Sequence, residues 1–95
     1  MEIESIRHKA LRRLFIEGDG AGIDSKIVGR LRNMLSFLLG ATSFEKLFVP
    51  PNYGLHPLVG RRTGDWSMTV TKNWRLTFTK IDEVTISSLN LEDYH

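Results

Sequence analysis

At Pro50-Pro51 the hydrophobic period of the chain changes from about four residues to two, and that switch excludes most ways of folding 95 residues. Upstream, apolar side chains recur at spacings of three and four, as they do along one face of a helix. From His8 to Glu17 the repeating positions are Leu11, Leu14 and Phe15, and Gly18-Asp19-Gly20 supplies the stop. A second helix, capped by Asp24 or Ser25, presents Ile27, Leu31, Met34, Leu35 and Leu38 on one face and ends at Gly40. Thr42 and Glu45 have the spacing of a capping box, which predicts a short helical turn through Phe44 and Leu47 before the prolines end it.

Downstream the apolar residues alternate. Trp66, Met68 and Val70 share one face and Ser67, Thr69 and Thr71 the other; Trp74, Leu76 and Phe78 then alternate with outward Arg75, Thr77 and Thr79. Lys72-Asn73 between them fits a tight hairpin. A further strand starts with Val84 and Ile86, but its apolar phase moves to Leu89 and Leu91, which predicts a bulge near Ser87-Ser88. Residues 2–6 alternate as a short strand around Ile3, and residues 53–58 read as either a strand or an ordered loop. The order β-α-α followed by strands predicts an α+β domain over residues 1–95: two N-terminal helices packed on one face of a largely antiparallel, twisted sheet of about four to five strands. Two separate cores would leave each half too small to remove enough surface from water, so one domain is expected.

The absence of cysteine excludes disulfides, thiolate metal sites and Cys nucleophiles, so the core alone must hold the fold. No apolar run approaches the ~20 residues of a membrane span, and the acidic start Met1-Glu2-Ile3-Glu4 is not followed by a signal core. The chain is expected to stay where it is made. The net charge of +2 conceals an uneven split. All 13 Lys and Arg and 7 of the 11 acids lie in residues 1–81, a body of +6; Asp82, Glu83, Glu92 and Asp93 make an acidic end of −4. Lys9, Arg12 and Arg13 form a stripe on the first helix, and Lys26, Arg30 and Arg32 another on the second. A basic body attracts a polyanion, although Lys and Arg also simply solvate helix faces.

The groups suited to chemistry are few. His56 stands in Leu55-His56-Pro57-Leu58, and Asp93-Tyr94-His95 places a carboxylate, a phenol and an imidazole at the end of the chain. An imidazole moves protons near neutral pH without a large shift. Equally, His95 reads as a frayed end and His56 as a hydrogen-bonded turn residue. Arg75 is the one charge among the hydroxyls of Ser67, Thr69, Thr71, Thr77 and Thr79, a setting that suits a phosphate. Its other reading is a cross-strand partner for Asp65 or Glu92. Arg61, Arg62 and Lys72 lie on turns nearby in the pattern. No dense ligand spacing supports a metal at His56, Asp93 and His95, and Trp66 and Trp74 fall on the apolar phase, as core residues.

Taken in order, Arg7-His8-Lys9-Ala10-Leu11-Arg12-Arg13-Leu14-Phe15, Leu55-His56-Pro57-Leu58, Trp66-Ser67-Met68 through Asn73-Trp74-Arg75-Leu76-Thr77-Phe78, and Glu92-Asp93-Tyr94-His95 resemble the HigB branch of the RelE-like toxins. The resemblance covers nearly the whole chain. It implies a toxin of a bacterial toxin-antitoxin pair, a metal-free, cofactor-free endoribonuclease of the cytoplasm that cuts messenger RNA in the ribosomal A site and so inhibits translation. In such enzymes the ribose 2′-hydroxyl attacks the adjacent phosphate and leaves a 2′,3′-cyclic phosphate and a 5′-hydroxyl. Residue by residue, His56, Asp93, Tyr94 and His95 match the family's catalytic positions, and Arg75 matches the arginine of the scissile phosphate. Asn73 matches a position associated with the codon. Lys9, Arg12, Arg13, Arg61, Arg62 and Lys72 are then the expected RNA contacts. The implied partners are messenger RNA, ribosomal RNA and a helix-turn-helix antitoxin of the HigA type. One departure stands out: Leu58-Val59-Gly60 has Val where many relatives have Leu-Lys-Gly, so either Arg61 or Arg62 replaces that cation or activity is weakened. The alternatives to a ribosome-dependent toxin are an RNA- or antitoxin-binding module with a decayed site, and a nuclease of free RNA.

Overall fold

The computed structural model describes residues 1–93; Tyr94 and His95 lie outside the described residues. Helix α1 (Lys9–Glu17) starts one residue later than the periodicity predicts because His8 is its cap: Nδ1 of His8 accepts the Leu11 N–H at 3.1 Å. Gly18 ends it in the left-handed region at φ 72°, its N–H donating to the Leu14 carbonyl. Helix α2 (Ser25–Gly40) is capped by Asp24, whose carboxylate accepts the Lys26 N–H at 3.0 Å. Arg32 of α2 donates to the Gly18 carbonyl at 2.9 Å and ties the two helices together at the end of α1. None of these helices is long and apolar enough to cross a membrane.

Among the described residues five strands form one sheet: β1 (Glu2–Ile3), β2 (His56–Pro57), β3 (Asp65–Thr69), β4 (Trp74–Asp82) and β5 (Thr85–Asp93), in the order β1-β5-β4-β3-β2. All neighbours are antiparallel except β1 and β5, which pair in parallel. Met68, Leu76 and Leu91 face one another across three strands, and with Val70, Phe78, Ile86 and Leu89 they meet Leu11, Leu14, Ile27, Leu31, Met34, Leu35 and Leu38 from the helices. Lys80 falls on this apolar phase and keeps its charge in water by lying over the Phe44 ring at 4.7 Å while pairing with Glu83 at 2.8 Å.

The expected bulge is present on β5. Ser88 has φ 54°, and three steps on β5 oppose two on β4 between Thr77 and Thr79. The amide it removes from the ladder is not wasted on solvent: Ser88 N–H donates to Ser5 Oγ at 2.9 Å and Leu89 N–H to the Ser5 carbonyl at 3.0 Å. That use of Ser5 is why the first strand stops at Ile3 rather than running to residue 6, with a single bridge at Ile6 opposite Leu89.

Three local expectations are corrected. Thr42 and Glu45 make no capping box; the segment Phe44–Phe48 is a 3-10 turn that starts after Ser43, one residue past Thr42, without a side-chain cap, and its first amide donates to the Glu83 carbonyl at 2.6 Å. Val84 is not on the strand but in the turn before it and is half exposed, while Asp82 accepts its N–H at 2.9 Å. The outward positions Ser67 and Thr77 are fully buried, and on that face the Thr77 hydroxyl donates to Glu92, which Arg62 also grips.

Leu31 is completely buried in the helix-sheet interface, whereas Leu39 on the same helix is half exposed. Leu31→Ala is expected to lower unfolding stability by about 3 kcal/mol in urea denaturation, and Leu39→Ala by less than about 0.5 kcal/mol.

Candidate active site

Directly opposed residues of an antiparallel sheet point to the same side, so the register itself assembles a polar face opposite the helices. His56, Ser67, Thr77 and Asn90 form one cross-strand row, and Thr69, Arg75 and Glu92 form the next. The two best candidates, His56 and Arg75, are therefore neighbours in rows on one surface, although 18 positions of sequence between them include a complete strand.

His56 is fixed from its own loop. Its Nδ1 lies 2.9 Å from the Gly54 carbonyl, which only accepts, so Nδ1 carries a proton and the neutral ring presents its lone pair at Nε2. Gly54 is in turn held by two residues before it. Asn52 accepts the Gly54 N–H at 3.1 Å through its side-chain oxygen, and its amide donates to the Phe48 carbonyl at 3.1 Å. Tyr53, at φ 50°, packs edge-on against Phe37 with ring centres 5.4 Å apart and receives the Arg30 guanidinium at 5.2 Å. Gly54 itself has φ +66° and lies close to Thr69, so a side chain there would be strained. The helical layer thus sets the orientation of an imidazole on the other side of the sheet.

Arg75 has the cross-strand partner that its position suggested. Its Nη2 donates to Glu92 Oε1 at 3.2 Å. Glu92 is the centre of a larger network: Arg62 donates to it twice, Nη1 to Oε1 at 2.8 Å and Nη2 to Oε2 at 2.7 Å, and the Thr77 hydroxyl donates to Oε2. The Arg62 Nε reaches Asp65 at 3.3 Å, and Asp65 accepts the Thr79 hydroxyl at 2.7 Å. The hydrogen bonds from Arg62 hold the Glu92 carboxyl down at about 2, against the opposing effect of burial and with help from Thr77 and Arg75; the same carboxylate raises Arg62 further above its ordinary range. Ser67 Oγ, buried between His56 and Thr77, has no hydrogen-bond partner among the described residues.

The other expected residues are spread more widely. Strand alternation puts Asp93, paired with Trp74, on the opposite phase from Glu92, and its side chain is exposed at the end of β5. Lys72 and Asn73 are exposed at the tip of the β3-β4 hairpin, where Thr71 Oγ1 accepts the Asn73 N–H at 3.2 Å. Arg61 is exposed on the turn Gly60–Arg62, beside Arg62, whose guanidinium serves Glu92 and Asp65. Val59 is 84% exposed, so nothing in the core requires an apolar side chain there. Lys9, Arg12 and Arg13 line an open groove on α1 with Ile16 and Glu17, in the helical layer and so across the sheet from His56 and Arg75. Tyr94 and His95 lie outside the described residues. Among the described residues no three His, Asp or Glu side chains converge as metal ligands would.

Sequence reasoning considered Glu92 only as a partner for Arg75 and missed its bond to Arg62, 30 residues away in the chain. The Glu92 carboxylate is depressed in the folded protein, so the stability it contributes is complete above the ordinary carboxylate value of about 4.5 and is lost as pH falls toward 2. With allowance for solvent around the partly exposed Arg62, the contribution is about 2 kcal/mol. Urea denaturation between pH 6 and pH 2.5 is expected to show that loss in the parent protein and a flatter profile in Glu92→Gln.

The arrangement has relatives. A family model described as the RelE-like toxin of the type II toxin-antitoxin system HigB matches residues 4–95. The endoribonuclease HigB of Proteus vulgaris is 42% identical over 93 residues, which cover 98% of this chain and 99% of that protein. The family match takes in both helices, strands β2 to β5 and the polar face that carries His56, Arg75 and Glu92. With agreement over that whole span, the chain belongs to the HigB-like family of RelE-like toxins of type II toxin-antitoxin systems.

Proposed function

We propose that this toxin is an endoribonuclease that cuts messenger RNA held in the ribosomal A site, by attack of a ribose 2′-hydroxyl on the adjacent phosphorus. The observation that carries this reading is the polar face, where an imidazole of defined tautomer and an arginine occupy neighbouring rows. His56, in its neutral form, takes the 2′-hydroxyl proton at Nε2. The new bond from the 2′-oxygen to phosphorus forms as the bond to the 5′-oxygen breaks, giving a 2′,3′-cyclic phosphate. His95, protonated, supplies the proton that the departing 5′-oxygen needs, with Asp93 orienting the imidazole and Tyr94 orienting the substrate. Arg75 stabilises the added negative charge on the phosphate as the fifth bond forms.

Sites built for positioning gain most when the substrate is itself held in place, and the ribosome provides that for an RNA strand. The exposed cations Lys9, Arg12 and Arg13 on α1, with Lys72 and Asn73 at the hairpin tip, contact ribosomal RNA and the codon. Arg61 takes the phosphate contact that Lys makes in a Leu-Lys-Gly segment, while Arg62 acts through Glu92. The partner in the cell is a helix-turn-helix antitoxin of the HigA type, and the setting is the bacterial cytoplasm. No metal or organic cofactor is required by these roles.

The test maps fragment ends from one messenger RNA, offered free and on programmed ribosomes, with chelator present. Cutting on ribosomes alone is expected. Arg75→Ala and His95→Ala should each reduce it by at least about 100-fold while thermal melting stays within a few degrees of the parent. Full cutting by a folded Arg75→Ala, His95→Ala double variant would remove both residues from the mechanism. Val59→Lys, at an exposed position, is expected to raise the rate without changing stability by more than about 0.5 kcal/mol.

A further inference from the structure

Glu92 has no part in the chemistry just described, yet it holds the arginine assigned to the phosphate. We propose that Glu92 is a positioning residue for phosphate transfer: anchored by Arg62 and Thr77, its carboxylate holds the Arg75 guanidinium in the orientation that receives the scissile phosphate. The inference rests on the assignment of Arg75 to that phosphate.

The unequal contacts of the carboxylate carry the argument. Arg62 grips both oxygens in a fork, at 2.8 and 2.7 Å, and Thr77 donates to Oε2 from the neighbouring strand. Arg62 is itself braced by Asp65, which Thr79 holds at 2.7 Å. The place of the carboxylate is therefore set from the turn Gly60–Arg62, from β3 and from β4, before Arg75 is considered. Arg75 reaches Glu92 from Nη2 at 3.2 Å, longer than either bond from Arg62. That contact ties the direction of the Arg75 guanidinium to a carboxylate whose own place is already set.

Such an arrangement matters because an unrestrained arginine side chain loses rotamer entropy when it grips a phosphate. Holding it in advance removes that loss from the step in which charge develops, which lowers the barrier instead of strengthening ground-state binding. Two arginines and two carboxylates balance in charge, so the network orders its members without adding to the net positive charge of the face.

A residue that only stabilised the fold would lower activity whatever stood at position 75. Single-turnover cleavage on programmed ribosomes separates the two roles, using Glu92→Gln, Arg75→Lys, the double variant, and Glu83→Gln as a control for the loss of one exposed acidic charge. Glu92→Gln is expected to lower the rate at saturating ribosomes by about 10- to 100-fold, with the half-saturating concentration changed by less than about 3-fold. In the Arg75→Lys background the same substitution should cost less than about 3-fold, because the group that it aligns is gone. Glu83→Gln should match the parent. An equal loss in both backgrounds, an equal loss in Glu83→Gln, or a folded Glu92→Gln with full rate overturns the inference. If Glu92→Gln does not fold, Thr77→Val removes one anchor and keeps every charge. A rate loss that disappears with Arg75→Lys then supports positioning, and a persistent loss or an unchanged rate overturns it. A parent protein that does not cut at all would instead overturn the proposed function, and a parent that cuts equally well as Arg75→Lys would remove the assignment of Arg75 and this inference with it.

Discussion

A carboxylate drawn away from water loses several kcal/mol of hydration unless charge and hydrogen bonds return it, and the polar face of this sheet is arranged around that requirement at Glu92. Two guanidiniums and a hydroxyl meet its two oxygens. Satisfying them links the turn that carries Arg62 to β5, on the face where Ser67 and Thr77 are buried. The same bonds orient Arg75. Removing Arg62 takes the fork from the Glu92 carboxylate, so this cluster ties the shape of the face to its charge.

The two sides of the sheet are not independent. On one side Leu31, Met68, Leu76 and Phe78 close the core with the helices. On the other, His56 takes its orientation from Gly54, and Gly54 from a loop whose Tyr53 is clasped by Phe37 and Arg30 of α2. Part of the basic stripe on α2 is therefore structural: Arg30 lies against an aromatic ring and Arg32 caps α1, whereas Lys9, Arg12 and Arg13 remain exposed on the outer helix. A sum of charges along the chain treats these cations alike, and only their neighbours separate those that shape the fold from those that face solvent.

Most elements are legible in the sequence. Periods of about four and of two residues located both helices and the β3-β4 hairpin because burial of one face imposes those repeats directly. The phase slip from Ile86 to Leu89 located the bulge for the same reason. The failures were of another kind. The spacing of Thr42 and Glu45 satisfied a local rule for a cap, but the Phe44 amide found a carbonyl in the β4-β5 turn. Alternation marked Ser67 and Thr77 as outward without showing that outward would be covered. His8 attracted no role, yet its ring caps α1.

The sequence by itself determined the order of elements, which residues form the apolar face, and the candidates His56 and Arg75, because each depends on residue type and short-range spacing. Tertiary structure decided the parallel pairing of β1 with β5, the use of Ser5 to complete the bulge, and the joining of Arg62, Arg75 and Glu92 across 30 residues of chain. Those features depend on which backbone groups and charges are left without partners once the core has closed. A linear pattern records the demand of each group for a partner but not the distances at which partners arrive.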